Sequence, residues 1–417
     1  MFDKSRIITV TSNTRDSGGY ALLGRSYIRN LINRGYRVRV ESIPSPLEIS
    51  EEEANYFRAL GRGPNCNMPI IDEVVEARNP MAKTPPPYNS VKILNFLPMS
   101  NFPKPPGPLG KRFCATMMEC EKVNASFINR CNKYYETVLT PTNFNANVFK
   151  ECGLNIPVKV LPPGIDESYT PENAVEGMNF NYKVFGNSAP EEPEGYKFIS
   201  VFRWSYRKGF DLLIKSYLNG FKRSDNVSLV IFSRHCAMNH DQRFRDAIEQ
   251  DILELWNKYA DINSPPIYWC SNVIPFQLMP SMYRVGDCYV NCSRGEGLSL
   301  TTLEASAMNL PVVCPNHTAF SDYVTNDNSY NFDVDEWVVC NTVPAWNRGF
   351  ITTEFNHMRF PGFGDSKVEE VASLMRRAME NPEEAQLKNE NMRKLIKEKY
   401  NWEKCTDLLE TYLDEEN

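Results

Sequence analysis

Apolar and polar positions along the chain keep switching between two periods. Arg6–Ser12 is a short β-branched run, and a polar turn with two glycines, Asn13–Gly19, follows it. Tyr20–Asn33 then sets Leu22, Leu23, Tyr27, Ile28, Leu31 and Ile32 at helical spacing, Gly35 supplies a stop, and Tyr36–Ser42 reads as a second strand. Strand and helix signals alternate again after residue 113: a helix near Asn124–Lys133, a strand at Thr137–Thr140, a helix at Asn145–Cys152 and a strand at Val158–Leu161. Between Pro80 and Pro108 stand nine of the chain's 29 prolines. Val91–Leu97 still fits a strand there, but the flanking PPP and KPPGP segments fit only stiff surface loops.

A polar stretch rich in Glu, Pro, Asn and Gly begins at Pro162-Pro163-Gly164-Ile165-Asp166 and runs to about Tyr196, with an irregular excursion expected near 172–193. A second alternating series then opens with a strand at Lys197–Phe202 and a helix at Gly209–Phe221. It continues with strand Val227–Phe232, helix Arg243–Tyr259, strand Ile267–Trp269, helix Phe276–Tyr283, strand Cys288–Asn291, helix Thr301–Met308 and strand Pro311–Val313. Lys367–Leu413 reads as mostly helix. Alternation of this kind argues for parallel sheets covered on both faces. The expected architecture is α/β, with two Rossmann-like domains facing a cleft, the first over 1–170 and the second over 171–400.

Composition narrows the function. The chain has 417 residues, 42% hydrophobic and 24% charged, beyond the size at which single cores usually stop growing. Lys plus Arg (46) against Asp plus Glu (52) leaves a net charge of −6, the wrong sign for a nucleic-acid partner. No apolar run approaches the ~18 residues of a membrane span. The opening Met-Phe-Asp-Lys-Ser-Arg carries no apolar secretion segment, so a cytoplasmic location is expected. The twelve cysteines are scattered singly without CxxC, as befits buried reduced thiols. The four histidines all lie beyond residue 234, which excludes a His-based triad or His-ligated metal built by the first half.

The densest chemical signal is Asn291-Cys292-Ser293-Arg294-Gly295-Glu296-Gly297-Leu298-Ser299-Leu300-Thr301-Thr302-Leu303-Glu304. A strand ends, a Gly-bracketed turn carries Glu296, and a helix begins near Ser299–Thr301. Backbone N–H groups of Gly297, Leu298 and Ser299 at that helix start suit phosphate oxygens. Two carboxylates beside a phosphate cradle fit a ligand with hydroxyls on both sides of a diphosphate: Glu296 accepts from a sugar, Glu304 from a ribose.

This segment resembles the retaining GT-B glycosyltransferases of the group-1 family, whose Glu-Gly-x-Gly-x-x-x-x-Glu-Ala element and following Gly-x-Pro-Val are matched by Glu296–Ala305 and Asn309–Val312. Ser299 stands in place of the second Gly, and Thr301 in place of a frequent Pro. A second motif follows the family's order. Phe202-Arg203-Trp204-Ser205-Tyr206-Arg207-Lys208-Gly209 closes one strand and opens a helix, with Arg203 and Lys208 where the family keeps its two diphosphate-binding cations and Phe202 where it has Gly. Cations are needed because the leaving nucleoside diphosphate gains negative charge. The resemblance further implies a first-loop phosphate approach at Gly18 and Gly19, and base contacts from the Ser271–Gln277 loop, including Ile274, and from Ser233 and Arg234. It implies a terminal crossover at Asn401-Trp402, so that helix 401–417 returns to the first domain. Many members place a His near the reacting sugar; this chain has none in its first domain, and Glu119 occupies roughly that region.

The implied activity is transfer of a sugar, with anomeric retention, from a UDP- or GDP-sugar to a glycan, lipid-linked or small-molecule acceptor. No tightly bound cofactor or metal is expected, and the protein would be a monomer or dimer. Two alternatives stay open: a catalytically silent sugar-binding scaffold, and a metal-dependent transferase using the Asp333-Val334-Asp335 pair. Arg25, Arg29, Arg34, Arg37 and Arg39, if they share a surface, would draw the first domain to anionic lipid or an anionic acceptor.

Overall fold

The structure is a computed structural model that describes residues 7–12, 19–42, 90–96 and 111–415, except 176, 177, 179, 187, 188, 236–241, 273, 275–277 and 340–357. The chain divides into two compact units. Met1–Met118, Lys122–Gly164 and Lys399–Asn417 form the first; Glu119–Glu121 and Ile165–Glu398 form the second.

In the first unit β1 (Ile7–Ser12), α1 (Gly19–Asn33), β2 (Arg37–Ser42), β3 (Ser90–Phe96), β4 (Lys111–Ala115), α2 (Ala125–Tyr134), β5 (Thr137–Thr140), α3 (Asn143–Glu151) and β6 (Val158–Val160) follow one another. The strands make one parallel six-stranded sheet in the order β2-β1-β3-β4-β5-β6. Ile8, Val10, Leu94, Phe113 and Leu139 from the strands pack on Tyr27, Ile28 and Leu31, the apolar stripe of α1. Caps set the helix starts: the Asn124 side chain accepts from Ser126 N, and Thr142 Oγ1 from Asn145 N. The second cap makes the Pro141–Phe144 segment the entry of α3.

The second unit runs through β7 (Lys183–Phe185), β8 (Tyr196–Trp204), α4 (Phe210–Gly220), β9 (Val227–His235), α5 (Gln242–Tyr259), β10 (Ile267–Cys270), α6 (Met279–Tyr283), β11 (Cys288–Val290), α7 (Leu300–Ala307), β12 (Val312–Pro315), β13 (Tyr330–Phe332), β14 (Glu336–Val339), β15 (Arg359–Gly362), α8 (Asp365–Glu380) and α9 (Pro382–Lys399). Seven strands form a sheet in the order β13-β12-β11-β8-β9-β10-β7, parallel but for β7, which runs antiparallel to β10 at the edge. Phe198, Leu229, Ile231, Ile267 and Val290 meet Leu213, Tyr217, Ile252 and Met375 in its core. Both units are thus parallel Rossmann-like sheets, the α/β architecture of the GT-B fold.

Five strands go beyond the sequence reading: β4, which follows the proline-rich stretch, and four shorter ones. β7 lies inside the stretch expected to be irregular: Lys183-Val184-Phe185 is too short to show a period, and its partner is remote in sequence. β13 and the separate β14–β15 hairpin are equally short. The helical tail breaks at Pro382 and again before Asn401, where the asparagine side chain caps the next helix by accepting from Lys404 N.

That last helix, α10 (Trp402–Asp414), belongs to the first unit, as the crossover at Asn401-Trp402 implied. Leu409 and Leu413 are buried in the first core, and the Trp402 ring meets Tyr27 edge-on at 5.0 Å. Arg34 donates to Asp407 at 2.5 Å, Glu410 at 2.8 Å and the Glu403 carbonyl at 2.7 Å. Arg34 is thus spent on fastening α10. Of the described cysteines eight are buried, Cys152 is half-buried and all are free thiols. No helix among the described residues is long and apolar enough to cross a membrane.

A Cβ on Gly164 would lie 2.4 Å from Trp402 N and 2.7 Å from the indole, so the junction passes against α10 with no room for a side chain. Gly164→Ala should cost about 1–3 kcal/mol and lower the thermal midpoint of the first unit, read by circular dichroism melting; an unchanged melt would mean that α10 is docked more loosely than described.

Candidate functional site

In a parallel sheet, loops at the carboxyl ends of strands diverge where strand order reverses, and they leave a crevice there. In the second unit that point lies between β8, whose chain continues through β9 and β10 on one side, and β11, followed by β12 and β13 on the other. The two loops that diverge here are Ser205–Gly209 and Asn291–Ser299, which hold both sequence motifs.

After β8 the chain makes a tight turn, Tyr206–Lys208, and leaves it through Gly209 at φ +67°. A Cβ on Gly209 would fall 1.8 Å from the Cys292 carbonyl oxygen, so only glycine lets the two loops touch. Phe202 and Trp204 stack at 5.6 Å, Trp204 stacks on Phe210 at 4.3 Å, and its Nε1 donates to Asp251 at 2.7 Å. Strand alternation then turns Arg203, between them, to the opposite face. It pairs in register with Arg234 of β9, which places two guanidinium-bearing residues at neighbouring strand ends.

The second loop is stitched at both ends by Asn291. Its Nδ2 donates to Ser299 Oγ at 3.0 Å and Thr302 Oγ1 at 3.1 Å, while its Oδ1 accepts from Ser293 N at 2.8 Å. Ser299 occupies the left-handed region at φ 69°, the conformation a glycine would take without strain, and its hydroxyl bonds offset that cost.

Two arginines bind the loops reciprocally. Arg294, 2% exposed, forks onto Asp211 at 2.8 and 2.9 Å, donates to the Tyr206 carbonyl at 2.9 Å and lies 3.8 Å over the Tyr206 ring. Arg207 returns the contact through Nη1 to the Gly295 carbonyl at 2.5 Å. Burial works against both charges of the Asp211–Arg294 pair, yet each holds the other ionised: Asp211 titrates below and Arg294 above its ordinary range.

Glu296 sits in the middle. Its Oε1 accepts from Lys208 Nζ and from Ser293 Oγ at 2.7 Å, and its Oε2 faces Arg207 Nη1 at 3.3 Å. Burial alone would raise its carboxyl; Lys208, Arg207 and the Ser293 hydroxyl hold it below the usual range. The same burial draws the Lys208 ammonium down, against the pull of Glu296. The backbone is bracketed from the loop after β12, where Thr318 Oγ1 accepts from Glu296 N at 3.2 Å and Ala319 N donates to Glu296 O at 3.3 Å. Thr318 is itself at φ 50°, costly for a β-branched residue. The neighbouring His317 is driven by burial to about 3 and stays neutral.

Glu304, on α7, accepts from Tyr283 OH at 2.7 Å. Burial pushes its carboxyl up to about 7, with the Tyr283 and Tyr169 hydroxyls opposing. Gly297, Leu298 and Ser299 are buried at the start of α7. Ser233 and Arg234 end β9, and Ile274 is half-buried between β10 and α6. Gly19 opens α1 in the first unit, and Gly18 lies outside the described residues. Glu119 counts with the second unit, its Oε1 3.8 Å from Arg207 Nη2. Asp333 is exposed, whereas Asp335 pairs with Lys367 at 3.3 Å and accepts from Gly364 N at 2.9 Å, which ties it to the start of α8.

The sequence reading missed Arg207, Asp211, Asn291, Arg294 and Thr318. Arg207 and Arg294 lie inside the quoted motifs and signal themselves as cations there; Asp211 and Thr318 become visible only once the loops are folded.

Residues 196–346 match the family described as glycosyl transferases group 1. The match takes in little more than a third of the chain and includes both loops at the switch point. Over 98% of its length the chain has the fold of several solved structures at low identity. Anabaena HepE, solved with UDP and glucose, is 11% identical with a TM-score of 0.58, over 98% of this chain and 100% of that one. Sucrose-phosphate synthase from Thermosynechococcus elongatus is 14% identical with a TM-score of 0.62, over 98% of each chain. The Escherichia coli trehalose-6-phosphate structure, bound with UDP-2-fluoro glucose, is 13% identical with a TM-score of 0.59, over 98% of each. Uncharacterized protein 356 of Sulfolobus islandicus rod-shaped virus 1 is 21% identical over 207 residues, 49% of this chain; the match spans about half (51%) of that relative. The segment similar to that family thus holds the buried acid–cation cluster at the switch point of its sheet.

Two outcomes test this geometry. Glu304 ionises near 7 when folded against an ordinary 4.5, so between these values the unfolded chain has already lost its proton and stability falls as pH rises. Relative to Glu304→Gln, the wild type should lose on the order of 2–3 kcal/mol between pH 5 and pH 8, read as a widening gap in melting temperature; a constant gap counts against a buried acid. Gly209→Ala should displace the Cys292 loop and lower the melting temperature by several degrees, with Ala at the open position Gly19 as the benign control.

Proposed function

We propose that the protein transfers a sugar from a nucleoside-diphosphate sugar to an acceptor hydroxyl, with the anomeric configuration kept and without a metal ion. The observation that carries this reading is the Glu296 carboxylate set between Lys208 and Arg207 at the switch point. Cations and a hydroxyl-accepting acid stand side by side there, which is what a sugar joined to a diphosphate requires. Arg203 and Lys208 bind the diphosphate, the guanidinium by a fork and the ammonium as a point charge. Glu296 accepts from the sugar hydroxyls, and Glu304, steadied by Tyr283, accepts from the ribose. The amides of Gly297, Leu298 and Ser299 face the distal phosphate.

As the bond between the anomeric carbon and the β-phosphate oxygen breaks, charge gathers on that oxygen, and the two cations stabilise it. The acceptor oxygen bonds to the anomeric carbon on the same face, and its proton passes to the departing phosphate oxygen, so the reaction needs no protein base. UDP is the first nucleotide to try, since HepE and the Escherichia coli protein were solved with UDP compounds.

A thermal-shift panel of UDP, GDP and ADP, free and as their glucose and mannose conjugates, should give one family of ligands that raises the midpoint by several degrees. The donor so found should be hydrolysed slowly, releasing its nucleoside diphosphate. Arg203→Ala and Lys208→Ala should each lower that rate by about 10²–10³ while Asp333→Ala leaves it unchanged. Loss in Asp333→Ala alone would replace this mechanism with the metal-dependent one, and binding without hydrolysis or transfer would mark a silent sugar-binding protein.

A further inference from the structure

The site holds one cation beyond the pair the motifs assign. Of the two oxygens of Glu296, Oε1 is committed to Lys208 and to Ser293, whereas Oε2 faces Arg207 alone among the described residues, at a long 3.3 Å. Oε2 is therefore the oxygen a sugar hydroxyl reaches most readily, and the hydroxyl must take it from Arg207. The guanidinium has somewhere to go. Its Nη1 is anchored on the Gly295 carbonyl at 2.5 Å, and its Nη2 already makes a long ion pair with Glu119 Oε1 at 3.8 Å, which a small rotation would shorten. Glu119 is held there by tight packing: its carbonyl oxygen approaches so closely that a Cβ on Gly295 would come within 1.8 Å. Arg207 and Glu119 side chains are 19% and 18% exposed, so their charges are poorly screened and an exchange between them carries weight.

We propose that Arg207 is a mobile counter-ion that neutralises Glu296 in the empty site and passes to Glu119 when the donor's sugar arrives. Glu119 is then a positioning residue, acting through Arg207 on the sugar-binding carboxylate. The proposal rests on the donor-site reading above. It assigns the exchange to the sugar half of the donor alone, because the nucleoside diphosphate does not need Glu296 Oε2.

Isothermal calorimetry with the nucleotide sugar and the free nucleoside diphosphate that shift the panel most supplies the test, on wild type, Glu119→Gln, Arg207→Ala and the double variant. Glu119→Gln should weaken the nucleotide sugar about tenfold and leave the nucleoside diphosphate unchanged, with its ligand-free melting temperature at the wild-type value. In the Arg207→Ala background the same substitution should have no further effect. Equal weakening of both ligands, no weakening of either, or additive losses in the double variant would overturn the exchange and leave the function standing. A wild type that binds neither ligand would overturn both.

Discussion

A carboxylate buried beside two cations is the constraint around which the second unit is arranged. Glu296 is taken almost wholly out of water, which costs several kcal/mol unless opposite charge and hydrogen bonds make up the loss. Lys208, Arg207 and Ser293 do so, but only because two loops from strands far apart in sequence are pressed together. Gly209 permits the approach, the Arg294–Asp211 fork holds it, and the bonds from Arg294 and Arg207 to carbonyls of the opposite loop keep it in register. Removing any one of these leaves a charge without its compensation, so the loops and the cluster stand or fall together.

The strain in this region fits the same account. Ser299 and Thr318 both adopt backbone conformations that side chains disfavour, and both lie within hydrogen-bonding reach of the elements that fix Glu296. A fold with no need to hold that carboxylate would relax them. Glu304 is the counterpart: an acid whose burial, with no cation beside it among the described residues, pushes it up to about 7 against the pull of the Tyr283 and Tyr169 hydroxyls. Two acids eight residues apart in sequence thus differ in electrical character, one held ionised below the usual carboxylate range and the other close to its titration point at neutral pH.

Much of this was legible beforehand. Alternating periods revealed both parallel sheets, since amphipathic helices such as Tyr20–Asn33 and continuous apolar strands such as Val227–Phe232 write their environments into local sequence. The strand–turn–helix around Glu296 was readable for the same reason. Strands β4, β7 and β13 to β15 were not, because three to five residues carry no period and their pairing is decided by distant neighbours. The partners Asp211 and Thr318 were hidden similarly: nothing in an aspartate eight residues after Arg203, or a threonine after a histidine, announces the contact it makes once folded. The role of Arg34 was equally hidden, because a solvated charge and a fastening charge look alike until Asp407 and Glu410 come alongside.

Because the first unit is assembled from residues before Gly164 and after Lys399, the second interrupts it. On a ribosome that adds residues from the amino end, the interrupting unit has its full complement of strands while its host still lacks the closing helix. Maturation therefore runs inside out. The unit whose sheet is translated first is the one completed last, and until α10 emerges, the surface of α1 that awaits Leu409 and Leu413 stays open to water or to whatever chaperone shields it.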